Sequence, residues 1–345
     1  MIPESDSRGR DKQTAVGRSF IPDPLPRTIS PRILDALRRY SRHARGAFSP
    51  ETIRAIQSDT RVFIKWCVTK GICPLPADPE HIAQFVDDMA AQGKAPASVR
   101  RYVSSIRHIH IAADLESPTG KQIIRMALSR QARLHGTEQK QAIGATRRVI
   151  DVILHVPGSS LLLARDKAII ATAYDTLARR SELVEIRRND LQFNPEGDGV
   201  IRIRRSKTDQ EGAGSFRYIA PDTAALLRDW VERAGLTNPH DETHLFRSVR
   251  KGGKQIGKGL SPYDITRIIK RLAQQAALAP DMIAGLSAHS TRIGATQDME
   301  AYDISTAGIM QAAGWKTPTM IARYTRKQAA ARSGAARLAQ RQNRV

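Results

Sequence analysis

His289, Arg292, Trp315 and Tyr324 stand close together in the last part of a 345-residue chain. A histidine moves protons near neutral pH. An arginine offers phosphate oxygens a planar fork of donors. An indole N–H donates and cannot accept. A phenol, with an ordinary pKa of about 10, is a poor nucleophile until nearby cations favour the phenolate. Cleaving a phosphodiester with a side chain requires these abilities. A nucleophile attacks phosphorus, the charge on the equatorial oxygens is neutralised, the nucleophile loses a proton and the leaving oxygen gains one. Arg179 and Lys207, further upstream, complete a set that can cut and rejoin such a bond without a metal.

The spacing sharpens the set. His289 and Arg292 are three residues apart, about one helical turn, so both can face one site. Arg179 closes an apolar run, and Glu182 follows where it can orient a guanidinium. Arg180 is adjacent, and spacing alone leaves the choice between the two arginines open. Lys207 lies between two strand-like segments, where a flexible ammonium can reach a leaving 5′ oxygen. Taken singly, each residue has a plainer role. Tyr324 and Trp315 read as packing aromatics, His289 as a capping histidine and Lys207 as a solvated loop lysine. The signal is in their order.

Other chemistries find less support. His108 and His110 diverge on a helix, and His240 and His244 lack an acidic or thiol partner at zinc spacing. There is no Walker-type glycine-rich loop. Neither a metal site nor a nucleotide cofactor is expected.

Lys and Arg number 55 against 34 Asp and Glu, a formal charge of +21. Such a surplus calls for a polyanionic partner, nucleic acid before an anionic membrane surface. Hydrophobic residues make up 41% of the chain, enough for the cores of two domains of ordinary size. Cys67 and Cys73 are the only cysteines, so no disulfide framework is expected. No apolar run approaches a membrane span, and Met1 to Arg18 lacks the apolar core of a signal peptide. A soluble, cytoplasmic protein is expected, in the compartment that holds the DNA.

The elements that must position the set follow from periodicity and caps. Residues 1–30, rich in Pro, Ser, Arg and Asp, read as a flexible tail. Ser30-Pro31 and Ser49-Pro50 are N-cap and first-turn pairs that open helices over 31–43 and from 50 to Gly71. Helices are predicted over 79–91, 97–112 and 118–134, making 31–134 an all-helical domain with basic outer faces. Thr52, Arg54, Ser58 and Arg61 lie on one such face, and Arg101 and Ser105 on another. Residues 135–145 read as a linker.

The second domain, 146–345, is predicted to be α+β. Helices are expected over 146–155, 161–178 and 180–187. A small antiparallel sheet follows from 200–204 and 216–220, with Phe193 in a first strand. Helices then run over 221–234, 261–277, 289–299, 303–312 and 318–331. Residues 247–259, with five basic residues among four glycines, read as a loop suited to a DNA backbone contact. The fold class is therefore mainly α with a small antiparallel β-sheet.

Together these residues resemble the tyrosine recombinase (phage integrase) family. The matching pieces are Thr176-Leu177-Ala178-Arg179-Arg180-Ser181-Glu182-Leu183, Lys207-Thr208, Ala288-His289-Ser290-Thr291-Arg292-Ile293-Gly294-Ala295 and Ile309-Met310-Gln311-Ala312-Ala313-Gly314-Trp315. Tyr324 follows nine residues after Trp315, as the family requires, and the linker string Lys140-Gln141-Ala142 matches too. The likeness spans roughly residues 31–340.

The resemblance implies that Arg179 and Arg292 clamp the scissile phosphate with support from Glu182. His289 would be the base toward Tyr324, Trp315 a phosphate donor in a position where many members carry histidine, and Lys207 the acid for the 5′ oxygen. Tyr324 would form a 3′-phosphotyrosine link that conserves the bond for rejoining, so no cofactor is implied. Arg180 stands where members usually carry an apolar residue. The implied partner is double-stranded DNA with inverted half-sites, clamped by the two domains and acted on by a homotetramer. Tyr263, Thr266 and Arg267 would join the helical domain's basic faces as DNA contacts. Tyr263 replaces an arginine, which implies a different target sequence. Segment 332–345 would be an intersubunit helix. The competing readings are a DNA-binding protein without cleavage and a DNA-relaxing enzyme without strand exchange.

Overall fold

The computed structural model describes residues 29–136, 138, 141–206, 214–250 and 256–344. Most of the expected N-terminal tail, and Lys207, lie outside the described residues. The chain divides into two compact units, with the boundary between Lys140 and Gln141.

The first unit is helical: α1 (Pro31–His43), α2 (Pro50–Lys70), α3 (Pro79–Ala91), α4 (Pro96–Ala112) and α5 (Gln122–His135). Ser30 and Ser49 cap α1 and α2 by accepting from the N–H groups of Ile33 and Thr52. Gly71, left-handed at φ 69°, closes α2. The helix expected over 118–134 begins instead with a 3-10 turn, Pro118–Gly120, and becomes regular at Gln122. An aromatic group fills the core, with the Phe63 and Phe85 rings edge to face at 5.2 Å. Trp66 joins them and donates from Nε1 to Asp88 at 2.8 Å.

One expected surface residue of this unit is misplaced. Ser105 is buried, and its hydroxyl donates to Asp59 at 3.0 Å. Asp59 is itself 1% exposed and pairs with Arg101 at 2.9 Å. A carboxylate buried between α2 and α4 needs these partners, because desolvation disfavours its charge. Burial pushes the Asp59 carboxyl upward, and Ser105 and Arg101 oppose that shift.

The second unit opens with α6 (Arg147–Leu154), α7 (Leu161–Thr176) and α8 (Arg180–Glu185). Helix α7 is buried on nearly every side, as its largely apolar sequence requires. Strands β1 (Leu191–Phe193), β2 (Gly199–Ile203) and β3 (Ser215–Ile219) form an antiparallel sheet in the order β1-β2-β3. Ile201 stands opposite both Leu191 and Arg217. After α9 (Pro221–Arg233) the two ends of the expected basic loop form a two-stranded ribbon of β4 (Arg247–Val249) and β5 (Ile256–Gly259), and residues 251–255, with Lys251 and Lys254, lie outside the described residues. Its strands are too short, and β5 too rich in glycine, to show a period of two.

Six helices complete the unit: α10 (Pro262–Gln275), α11 (Pro280–Gly285), α12 (Ser290–Ala301), α13 (Thr306–Ala313), α14 (Thr319–Ala331) and α15 (Gly334–Arg341). Helix α11 was not expected. Helix α13 starts later than expected because Ser305 caps it, accepting from Gly308. The mainly helical architecture with small antiparallel sheets matches the expected fold class. Among the described residues no helix is long and apolar enough to cross a membrane.

Candidate active site

The loop Ser287-Ala288-His289-Ser290 is tied by its own hydroxyls. Ser287 N–H donates to Ser290 Oγ at 2.9 Å, and His289 N–H donates to Ser287 Oγ at 3.1 Å. Thr266 on α10 accepts from Ala288 N–H at 3.2 Å. These bonds fix His289 at the start of α12. Gly294, one turn in, lets α12 pass directly over the 145–146 backbone, where a Cβ would collide with Ala145.

Arg292 is 2% exposed. Its guanidinium donates to the carbonyl of Leu177 and, at 2.7 Å, to that of Ala313. It lies 4.9 Å from the centre of the Trp315 ring. Leu177 holds a left-handed φ of 49° at the end of α7, unusual for a branched residue and of the kind that clusters at functional sites. That turn sends the chain into Arg179. Glu182, at the third position of α8, accepts from Arg179 twice: from its backbone N–H at 2.8 Å and from Nη1 at 2.6 Å. The pair makes the half of a capping box in which the third-position carboxylate accepts from the N-cap N–H, with a guanidinium bond added.

Tyr324 rises from α14 into the same place. Its hydroxyl is hydrogen-bonded to His289 Nε2. The tyrosine ring meets His289 edge to face at 5.5 Å and Trp315 at 5.6 Å. Gln297 on α12 donates to the Tyr324 carbonyl at 3.0 Å and pins the helix that carries the phenol. Arg179, Glu182, His289, Arg292, Trp315 and Tyr324 thus converge from four separate stretches of chain. Lys207 is outside the described residues.

The electrostatics follow from burial and a surplus of guanidinium. Burial pushes His289 down to about 4, and Arg292, Arg179, Arg180 and Arg323 push the same way. The imidazole is therefore neutral at physiological pH and can accept a proton. Burial raises the Tyr324 phenol, and Arg292, Arg323 and Arg179 oppose that rise. Arg292 falls to about 10, chiefly from burial and then from Arg179, and stays charged at neutral pH.

Two participants were missed in the sequence. Arg217, buried on β3, donates from Nη1 to the carbonyls of Gln311 and Ala312, both at 2.6 Å, at the end of α13. It also feels the charges of Glu182 and Arg179. Its signal was available: Arg217 shares the inward face of β3 with Ile219, and an arginine at an inward position needs a buried partner. Gln297 carried no such signal.

The expected DNA contacts are differently placed. On α2, Thr52, Arg54, Ser58 and Arg61 are exposed, with Arg54 paired to Glu51. Arg101 is exposed at its pair with Asp59, whereas Ser105 is buried. On α10, Tyr263 is 67% exposed and Arg267 pairs with Asp264. Thr266 is half-buried and already holds the loop before His289. Among the described residues, no group of three or more His, Cys, Asp or Glu is placed to hold a metal ion.

A basic chain whose second unit gathers two arginines, a neutral histidine and a tyrosine around one point has the make-up of a tyrosine-dependent phosphodiester enzyme. The sequence pattern of the phage integrase family matches residues 145–331. The chain belongs to that family, the tyrosine recombinases. It is 30% identical over 283 residues to the integrase/recombinase XerD homologue of Selenomonas ruminantium, covering 79% of this chain and 80% of the relative. It is 25% identical to the Cre recombinase of Escherichia phage P1 over 82% of this chain and 85% of that protein. The fold is shared with the Tn1549 transposon integrase solved in complex with transposon right end DNA, at a TM-score of 0.61 and 15% identity, covering 85% of this chain and 94% of that one.

Proposed function

We propose that the protein is a site-specific DNA recombinase that cuts and rejoins strands through a 3′-phosphotyrosine intermediate. The observation that carries this reading is the hydrogen bond between His289 Nε2 and the Tyr324 hydroxyl beside the buried Arg292. Arg179 and Arg292 bind the non-bridging oxygens of the scissile phosphate, and Trp315 adds its indole N–H. Tyr324 Oη attacks phosphorus while its proton passes to His289 Nε2. The new P–Oη bond forms as the P–O5′ bond breaks, and the 5′ oxygen takes a proton from Lys207. Attack by a 5′-hydroxyl from a second duplex reverses these steps and exchanges the strands. The bond energy is conserved in the phosphotyrosine, so this sequence of steps draws on neither a metal ion nor a nucleotide.

The helical unit, 31–134, supplies core DNA binding, and the catalytic unit, 146–345, joins it around one half-site of an inverted pair. The exposed basic side chains of α2 support this reading. Four copies on two duplexes form the exchanging assembly, linked through segment 332–345, and the protein works in the cytoplasm where its DNA lies. The test is a nicked duplex that traps the covalent intermediate, with its target selected from randomised inverted repeats. Wild-type protein becomes covalently attached, and Tyr324→Phe binds without attaching. An adduct formed by Tyr324→Phe would remove Tyr324 as the nucleophile. Strand exchange between two selected sites, with no Mg²⁺ or ATP, separates a recombinase from an enzyme that only relaxes DNA.

A further inference from the structure

Arg180 takes no part in the chemistry described above. It stands beside Arg179 at the start of α8, and its side chain is exposed. Its guanidinium carbon lies 4.8 Å from the centre of the Tyr263 ring on α10. Among the described residues no carboxylate pairs with it. Its neighbours in charge behave otherwise: Arg179 is bound to Glu182, Arg267 to Asp264 and Arg271 to Asp166. A guanidinium over an aromatic face keeps its charge, and its in-plane N–H donors stay free. The ring also limits the rotamers of a long side chain, so less freedom is lost when it binds. The charge lies near the reacting groups, since His289 feels it.

We propose that Arg180 binds the DNA phosphate next to the one that is cut, and that the Tyr263 ring is the positioning element that holds it there. This rests on the recombinase reading above. A phosphate is favoured over a base edge because Arg180 directly follows Arg179, which grips the backbone in that reading. Consecutive residues are about 3.8 Å apart at their Cα atoms, and two arginine side chains diverging from them can span the larger separation of successive backbone phosphates.

The experiment uses the full chain and the selected duplex. Arg180→Met should weaken binding roughly tenfold, as expected for one charge-assisted contact. It should also lower the slope of log K against log salt by about 0.9, the loss of one phosphate contact. The same loss should appear on every single-base variant of the site. Tyr263→Ala should lose part of this increment, and Tyr263→Phe, which keeps the ring face, should restore it. The double variant Arg180→Met/Tyr263→Ala should bind no worse than Arg180→Met alone. A neutral methylphosphonate at the neighbouring phosphate should erase the advantage of wild type over Arg180→Met. An unchanged salt slope, a loss confined to one base pair, or additive single effects would each overturn the proposal. If wild-type protein forms no covalent adduct on the selected duplex, the recombinase reading itself fails. If the adduct forms and the slope does not change, only the role of Arg180 fails.

Discussion

The Arg217 guanidinium and Gly314 are fitted to each other at the end of α13. Arg217 holds the carbonyls of Gln311 and Ala312, and a Cβ on Gly314 would collide with its Nη2. Gly314 is left-handed at φ 63°, and the next residue is Trp315. A buried arginine and a glycine turn therefore set where the indole sits. Gly314→Ala carries a left-handed penalty of about 1–2 kcal/mol, and displacing Arg217 adds to it. Its expected outcome is lower stability in denaturant melts and at least a tenfold slower adduct formation. Arg217→Met strands two carbonyls at about 1–3 kcal/mol each if they stay buried. Equal adduct rates per folded molecule in wild type and both variants would remove this positioning role.

His289 predicts a pH signature. Its folded pKa, about 4, is below the ordinary value of 6.5. Between those values the unfolded chain binds more protons, so stability rises with pH. The contribution is complete above about pH 6.5 and is lost as pH falls through about 4. At roughly 1.4 kcal/mol per unit, discounted for partial exposure, it amounts to about 2–3 kcal/mol. Denaturant melts of wild type should weaken more steeply from pH 7 to pH 4.5 than those of His289→Gln. In NMR titration of the free protein, the His289 ring should stay neutral down to about pH 5. A midpoint near 6.5 would contradict the geometry.

Trp315 lies between Arg292 and Tyr324, 4.9 Å and 5.6 Å from them by the ring and guanidinium positions. Trp315→Phe keeps much of the ring packing and deletes the N–H donor. Adduct formation should fall about 100-fold, by analogy with the loss of one transition-state donor, while DNA affinity stays within a few fold. Trp315→His, which restores a donor, should recover part of the rate. If Trp315→Phe cleaves as fast as wild type, packing alone accounts for the tryptophan.

In the helical unit, Ser105 serves the buried Asp59. Ser105→Ala should destabilise the protein by about 1–3 kcal/mol, since it removes a partner from a buried carboxylate. Its DNA affinity per folded molecule should match wild type. Arg61→Ala, at an exposed position on α2, should do the opposite: little change in stability, with weaker, less salt-sensitive binding. Thermal melts and binding isotherms at two salt concentrations distinguish the two patterns.

The parts of this protein that depend on neighbours in the chain were readable from its sequence. Ser30-Pro31 and Ser49-Pro50 open helices where expected, because a cap is satisfied within one turn. The charge of +21 and the order from Arg179 to Tyr324 point by themselves to phosphodiester chemistry. What depended on partners far along the chain was not readable. Only the folded chain decides that Arg179 meets Glu182 while adjacent Arg180 turns to Tyr263. Only there does Arg217 reach α13, Ser105 turn inward to Asp59 and Arg247–Val249 pair with Ile256–Gly259. Periodicity reports which face of an element is apolar. It does not report which buried polar group lies opposite, and that pairing arises from desolvation once distant segments pack.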